Sequence, residues 1–341
     1  MGKSDNTQEK FKSKIGGQAL IEGIMMLGPT KGAMACRLPD GTVDLETWDE
    51  NNGKNAPWYR KVPLVRGCTG FAISLVKGYK YMMKSAEKQM PEDEEDEKKK
   101  TKSDIGPEPA IAGGAAVSVN STVSSEEKTE KKKEGSGYDF VMYLGILFGV
   151  VLALGLFVML PKWIVGLIPS VKENRFLRSL LEGVVKIVLF VAYMYLTSLM
   201  KDIRRQFMYH GAEHKTIACH EAELPLTVEN IRKQSRFHKR CGTSFIFIVL
   251  IVSIFVMCFV PFTVTWQRIV ASLVLLPLVV GISYEFIRLA GNNDNLFTRI
   301  LSAPGLAMQR ITTREPDDSM IEIAIAAMTP CIPQDKEEDR W

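Results

Sequence analysis

The sequence has no C-x-x-C pair, and its first residues lack the apolar stretch and cleavage site of an export signal. Its six cysteines are therefore expected to be reduced thiols rather than a disulfide framework. It also lacks a strong excess of one charge, because 43 basic residues nearly balance 39 acidic ones and leave a net charge of +4. This small net charge does not argue for a nucleic-acid partner, and the sequence has no compact basic patch interleaved with aromatic residues. We therefore expect no nucleic-acid partner.

Long uncharged runs are what the sequence does have. Residues 140–160 and 243–266 contain no charged side chain, and about 20 apolar residues suffice for a helix to cross the ~30 Å of hydrocarbon in a bilayer. Weaker runs at 180–200 and 269–289 carry their charges toward one end. In the first of these, Glu182 and Lys186 are predicted to neutralise each other as an i,i+4 pair. We therefore predict a mainly α polytopic membrane protein with four transmembrane helices and a membrane domain at 138–303.

The flanking charges predict the orientation of these spans. Nine lysines and arginines fall within residues 201–242, against four between the first two spans, and positive residues are retained on the cytoplasmic side. We expect the 201–242 loop and both termini to be cytoplasmic in a multi-pass protein of the cell membrane. Membrane lipid is the expected partner, and other membrane proteins are candidate partners.

The remaining segments are predicted from local patterns. Residues 1–63 form an N-terminal cytoplasmic region with a short β-hairpin at the Pro-Asp-Gly turn, Pro39 to Gly41. Residues 64–89 suit an amphipathic interfacial helix, with a re-entrant element as the alternative. Residues 90–137 are a charged insert of disordered composition. In the C-terminal cytoplasmic tail, 304–341, the run SMIEIAIAAM fits a strand or a short helix equally well.

All four histidines fall between His210 and His238, and two of them occur in H-G-A-E-H. On a helix His210 and His214 share a face, and Glu213 lies close enough to act as a general base. The order H-x-x-E-H is the inverse of the zinc-peptidase motif and predicts a divalent metal, with zinc favoured, whose bound water has a pKa near 7. Contacts with lipid phosphates or helix capping are the alternative roles of the two histidines.

Further ligands are predicted from H-K-R-C, which puts His238 and Cys241 three positions apart. Four protein ligands would make the site structural, whereas three ligands and a water would make it catalytic. Glu285, at the end of the last span, is an alternative third ligand. His220 and Cys219 are expected to pack rather than bind metal.

These motifs resemble those of the YqhQ-like family of bacterial membrane proteins. The resemblance includes H-G-A-E-H at 210–214, H-x-R-C-G-T at 238–243, GGQALIEGIMM at 16–26, GISYEFIR at 281–288 and PGLAMQRITTREPDD at 304–318. It implies a bacterial inner-membrane protein that is a metal-dependent enzyme of uncharacterised reaction. His220 departs from it, because tyrosine is usual at that position.

Three functions remain in competition. A membrane-bound metal hydrolase would use Glu213 beside the histidines, and we favour it slightly. A non-catalytic assembly or scaffold protein would carry a structural metal site or none. A transporter is the least favoured, because the charges of the spans cluster at their ends rather than at the midplane.

Overall fold

We describe a computed structural model of the protein, which defines residues 11–51, 57–90, 136–172, 174–293 and 295–340. The charged insert predicted at 90–137 lies outside the described residues except at its edges. The strands are β1 (Gly16–Leu20), β2 (Gly23–Leu27), β3 (Lys31–Arg37) and β4 (Val43–Asp49). The helices are α1 (Val65–Glu87), α2 (Ser136–Leu154), α3 (Leu160–Gly166), α4 (Pro169–Lys172), α5 (Arg175–Thr197), α6 (Lys201–Glu221), α7 (Val228–Arg232), α8 (Gly242–Cys258), α9 (Thr265–Val274), α10 (Leu276–Asn292), α11 (Leu296–Thr312), α12 (Asp318–Met328) and α13 (Lys336–Asp339).

The four strands form one antiparallel meander in the order β1-β2-β3-β4. The predicted hairpin is its second half, because β3 pairs with β4 around the Pro-Asp-Gly turn. Side chains alternate between the two faces of a strand. Ile24 and Met26 accordingly enter one buried cluster, whereas Met25 and Met34 enter another on the opposite face. The sheet is therefore covered on both faces.

Helices α6 and α12 cover the first face of the sheet. The run SMIEIAIAAM is helical, and Met320, Ile323, Ala324 and Ala327 turn one face of α12 toward β2 and β3. Helix α1 covers the second face, where Tyr81 stacks on Trp48 with ring centroids 4.3 Å apart. The first turns of α1 instead pack on α10. The segment predicted as an interfacial helix thus joins the sheet to the apolar helices.

The apolar helices form the second part of the molecule. Two stretches of the described chain, Leu147–Gly166 and Arg175–Thr197, are long and apolar enough to cross a membrane. The run predicted at 243–266 becomes α8, which has 17 residues and is shorter than a typical span. The run at 269–289 becomes α9 and α10, bent by 52°. If the bent pair counts as one span, the total is three rather than the predicted four.

The bend has a local cause. Pro277 lies in the first turn of α10, and its ring offers no N–H to the preceding turn of helix. Position 261, in the connection before α9, is also a proline, and α8 ends three residues earlier at Cys258. Proline chemistry therefore shortens or divides the last two predicted spans.

The predicted pairing of Glu182 with Lys186 is wrong. Both oxygens of Glu182 are bonded to Arg268, at 3.1 and 3.0 Å, and Arg178 donates to one of them at 3.0 Å. Lys186 Nζ instead lies 3.4 Å from the hydroxyl of Ser253. An arginine offers several donors in a planar fork, which suits a carboxylate better than a single ammonium group does.

The region predicted as the 201–242 loop begins with the 21-residue helix α6, whose second half is buried. Gly211 permits this burial: a Cβ at this position would lie 1.9 Å from the carbonyl oxygen of Arg314. The adjoining backbone is bonded to the same segment, since Arg314 N donates to Phe207 O at 2.8 Å. The glycine of H-G-A-E-H is therefore a packing requirement.

Gly211→Ala is expected to lower the free energy of unfolding by about 2 kcal/mol, because the added methyl group displaces the Arg314 backbone. Helix propensity alone predicts the opposite sign, a gain of about 1 kcal/mol. Thermal unfolding of the detergent-solubilised chain measures the difference. Gly70→Ala in α1, where a Cβ meets nothing within 4 Å, is the matched control and is expected to be neutral or stabilising. Equal behaviour of the two variants would contradict the packing role of Gly211.

Candidate metal centre

Two imidazoles and one thiol converge where α6 meets the start of α8. His210 and His214 lie one turn apart on α6, and their ring centroids are 4.4 Å apart. Cys241 is the N-cap of α8, and its Sγ lies 3.3 Å from His210 Nε2. One ligand atom from each of the three residues lies within 4.8 Å of the others. We call this group the metal trio.

Backbone carbonyls determine how the two rings are oriented. His210 Nδ1 lies 2.9 Å from the carbonyl oxygen of Thr312, and His214 Nδ1 lies 2.6 Å from that of Arg236. A carbonyl only accepts, so each Nδ1 carries the proton, which leaves the lone pair of a neutral ring on Nε2. Metal-binding histidines usually make such a hydrogen bond through the ring nitrogen that does not coordinate the metal. Both Nε2 atoms are thereby available as ligands.

The charges of the trio favour a thiolate. Burial raises the pKa of the Cys241 thiol, but the positive charges of His210 and His214 and their hydrogen bonds hold it well below its ordinary value. Burial lowers the pKa of His210, but the interaction with Cys241 outweighs the effect of burial and raises this pKa to about 9. A thiolate beside an imidazolium is the expected state of the metal-free protein.

Glu213 lies on the same helix beside the trio. The residue is 4% exposed, and among the residues that the structure describes its Oε2 atom has no hydrogen-bond partner. The Gly17 N–H donates to the carboxylate, while burial raises the pKa of Glu213 and the charges of the two histidines partly offset this. A buried carboxylate oxygen without a partner costs free energy, which points to a ligand or substrate group at this position.

A cavity of about 120 Å³ joins Glu213 to the trio. Its other wall is the segment from Ser13 to Gly17, which leads into the edge strand β1. The C-terminus holds this wall in place, because the Ser13 hydroxyl donates to Asp339 at 2.8 Å. The volume suffices for an ion and a few small polar groups.

Sequence reasoning did not identify Gly17, Ser13 or Asp339 as residues of the site. The only signal was the 16–26 motif, whose one ionisable side chain, Glu22, accepts a hydrogen bond from Arg205 instead of facing the histidines. Asp339 lies 326 positions from Ser13 along the chain, so no local pattern connects them.

The structure leaves the other predicted ligands outside the trio. His238 lines the cavity, but its Nε2 lies 3.4 Å from Glu221 Oε2, and its ring centroid is 5.7 Å from that of His214. Glu285 instead accepts a hydrogen bond from Arg66 Nε at 2.7 Å. His220, which was not expected to bind metal, also lies outside the trio, with its Nε2 2.7 Å from Asp339 Oδ2.

The donor set fits zinc better than a hard cation. Imidazole nitrogen and thiolate sulfur are zinc ligands, whereas magnesium and calcium prefer oxygen. Three protein ligands leave one tetrahedral position for water or substrate. Glu213 lines the same cavity as these three ligands, so the residues present fit a zinc ion with an open position.

Comparison with known proteins agrees with the family resemblance of the sequence motifs. A family model described as "Protein of unknown function (DUF1385)" matches residues 62–334. The "Uncharacterized protein YqhQ" of Bacillus subtilis (strain 168) is 32% identical over 321 residues, which is 94% of this chain and 92% of that protein. No solved structure matches the chain. The family region includes the metal trio and Glu213.

Metal uptake by the metal-free protein is expected to release about one proton near pH 7. His210 must lose its proton before Nε2 can coordinate, whereas the Cys241 thiol has already lost its own. The affinity should rise about tenfold per pH unit until the pH passes the His210 pKa of about 9, and then level off. Calorimetric titration with zinc in buffers of different ionisation enthalpy counts the protons. Release of no proton would contradict the thiolate–imidazolium state.

Proposed function

The chain belongs to the DUF1385 family, and from its site we propose that it is a membrane-associated, metal-dependent hydrolase that holds zinc with His210, His214 and Cys241. The observation that carries this proposal is the position of Glu213. A structural metal site needs only its ligands, whereas here the same cavity is also lined by a buried carboxylate, one oxygen of which has no hydrogen-bond partner among the described residues.

A zinc ion held by these residues would supply Lewis acidity and a nucleophile derived from water near neutral pH. The residues of the chain would orient the ligands and transfer the proton. The Thr312 and Arg236 carbonyls hold the imidazoles in the coordinating tautomer. The Gly17 N–H orients Glu213, whose raised pKa suits it to accept a proton from water and return it to a leaving group.

The alternative is a non-catalytic assembly or scaffold protein with a structural metal. It has one observation in its favour, because the trio joins α6 to the N-cap residue of α8 and a metal there would link the sheet region to the apolar helices. His238 would have to rotate from Glu221 to become a fourth ligand. In this alternative Glu213 has no role.

We place the protein in the cell membrane, with four crossings, both termini in the cytoplasm and the site at the cytoplasmic face. The apolar helices support the placement through large side chains that are exposed in the isolated chain, including Leu147, Phe148, Val188 and Leu196. The site end of the bundle, where α5 ends and α8 begins, is also the end nearest the basic residues of 201–242. For four crossings, α8 and the bent pair α9–α10 must each span the bilayer.

Elemental analysis of the purified chain tests the metal. We expect about one zinc per chain, lost in His214→Ala and in Cys241→Ser and retained in Glu213→Gln. His220→Ala is the matched control, because His220 lies on the same helix and pairs with Asp339 outside the trio. Unmodified protein without metal, or zinc that survives both ligand variants, would refute the site.

Glu213→Gln separates the enzyme from the scaffold. The zinc-loaded chain should hydrolyse the small activated ester 4-nitrophenyl acetate, and the variant should lose about 10²-fold or more of the rate because it removes a general base. Its zinc content and unfolding midpoint should be unchanged. An equal rate in the variant would favour the structural alternative.

Labelling by a membrane-impermeant maleimide tests the orientation. In a chain whose partly exposed Cys68 and Cys258 are replaced by serine, Ser170→Cys should react in intact cells. Lys201→Cys should react only after the membrane is opened. The reverse pattern would place the site outside the cell.

A further inference from the structure

A second group of charged side chains lies among the apolar helices, away from the metal trio. Its members are Lys162, Arg178, Glu182, Lys186 and Arg268. We call it the cationic cluster. Four cationic groups face one carboxylate, so the described residues of the cluster leave three positive charges in a largely buried place.

Glu182 already accounts for the arginines. Arg178 and Arg268 both donate to it, and their other donors are used by neighbouring oxygens, such as the Thr265 hydroxyl at 3.1 Å from Arg178 and the Ser179 hydroxyl at 2.8 Å from Arg268. This network needs no further anion for its hydrogen bonds. The excess charge lies on the two lysines.

The lysines have poor partners. The side chain of Lys162 is buried, with 1% of the residue exposed, and its Nζ makes a long contact of 3.5 Å with the Val158 carbonyl. Lys186 Nζ has a neutral hydroxyl, Ser253 Oγ, at 3.4 Å. Buried ammonium groups are normally paired with an anion or with several strong acceptors. The cluster therefore has the charge and the free donors for one more anion.

The position of the cluster relative to the ends of the apolar helices indicates which anion lies near it. Lys162 lies four residues, about 6 Å, from the end of the stretch Leu147–Gly166, and Arg178 lies in the first turn of α5. At this end Trp163 and Trp266 are each 63% exposed. Exposed tryptophans beside apolar helices are typical of the headgroup level of a bilayer. Phosphate groups of lipids lie at that depth.

We propose that the cationic cluster binds a phosphate group, supplied by an anionic phospholipid, at the end of the bundle opposite the metal centre. Phosphate offers several charged oxygens, which ammonium and guanidinium groups bind together. The lipid tails would lie along the exposed apolar surface of α3 and α5. The proposal rests on the membrane placement but not on the metal centre or its chemistry.

The full chain in nanodiscs provides the test. Phosphatidylglycerol added to phosphatidylcholine discs should raise the thermal unfolding midpoint by roughly 3 °C or more, as a ligand specific for the folded state does. Lys162→Met and Lys186→Met should each remove most of this increase, and Lys162→Arg should keep it. Lys201→Met, an exposed lysine at the start of α6 beyond the other end of α5, is the matched control. Inorganic phosphate added to phosphatidylcholine discs tests free phosphate as the source.

A midpoint raised by phosphatidylglycerol alone supports the lipid, and one raised equally by inorganic phosphate supports the same chemistry from a free anion. If neither raises it, or if the lysine variants respond as fully as the control, the proposal is refuted. A cooperative unfolding transition of each variant in phosphatidylcholine discs shows that the variant is folded. Zinc content measured on the same samples separates this result from the proposed function, because zinc can be present without a lipid effect and the reverse.

Discussion

Two backbone carbonyls, those of Thr312 and Arg236, hold the imidazoles of α6 so that both Nε2 atoms face away from the backbone. The rest of the candidate site depends on this constraint. Because Nδ1 of each ring is hydrogen-bonded, only Nε2 can offer a lone pair. That lone pair points toward Cys241, the N-cap residue of α8. A histidine free to rotate would lose entropy on binding a metal, whereas these rings are oriented in advance.

The same contacts connect the two parts of the molecule. Thr312 closes α11 and Cys241 opens α8, so two of the contacts of the trio come from the apolar helices, while the histidines belong to the helix that covers the sheet. A metal bound there would hold the covered sheet against the apolar helices. Catalysis and assembly are therefore alternatives at one place in the fold, and Glu213 is the residue that distinguishes them.

Local chemistry determined what could be predicted from the sequence. The spacing of His210 and His214 indicated a shared helix face, and the uncharged runs indicated apolar helices. The features that were not predicted depend on contacts between residues that are far apart in the sequence. His238 and Cys241 are three positions apart, but the chain enters α8 at Cys241, so His238 turns to Glu221 instead. Glu182 was paired with its sequence neighbour because nothing local shows that Arg268 packs against it. Gly211 looked like a poor helix residue until the Arg314 backbone was placed beside it.

X-ray absorption at the zinc edge of the purified chain tests the central assignment most directly. The account predicts a shell with one sulfur at about 2.3 Å and two imidazole nitrogens at about 2.0–2.1 Å, completed by one oxygen. A shell without sulfur, with two or more sulfurs, or without imidazole scattering would contradict it.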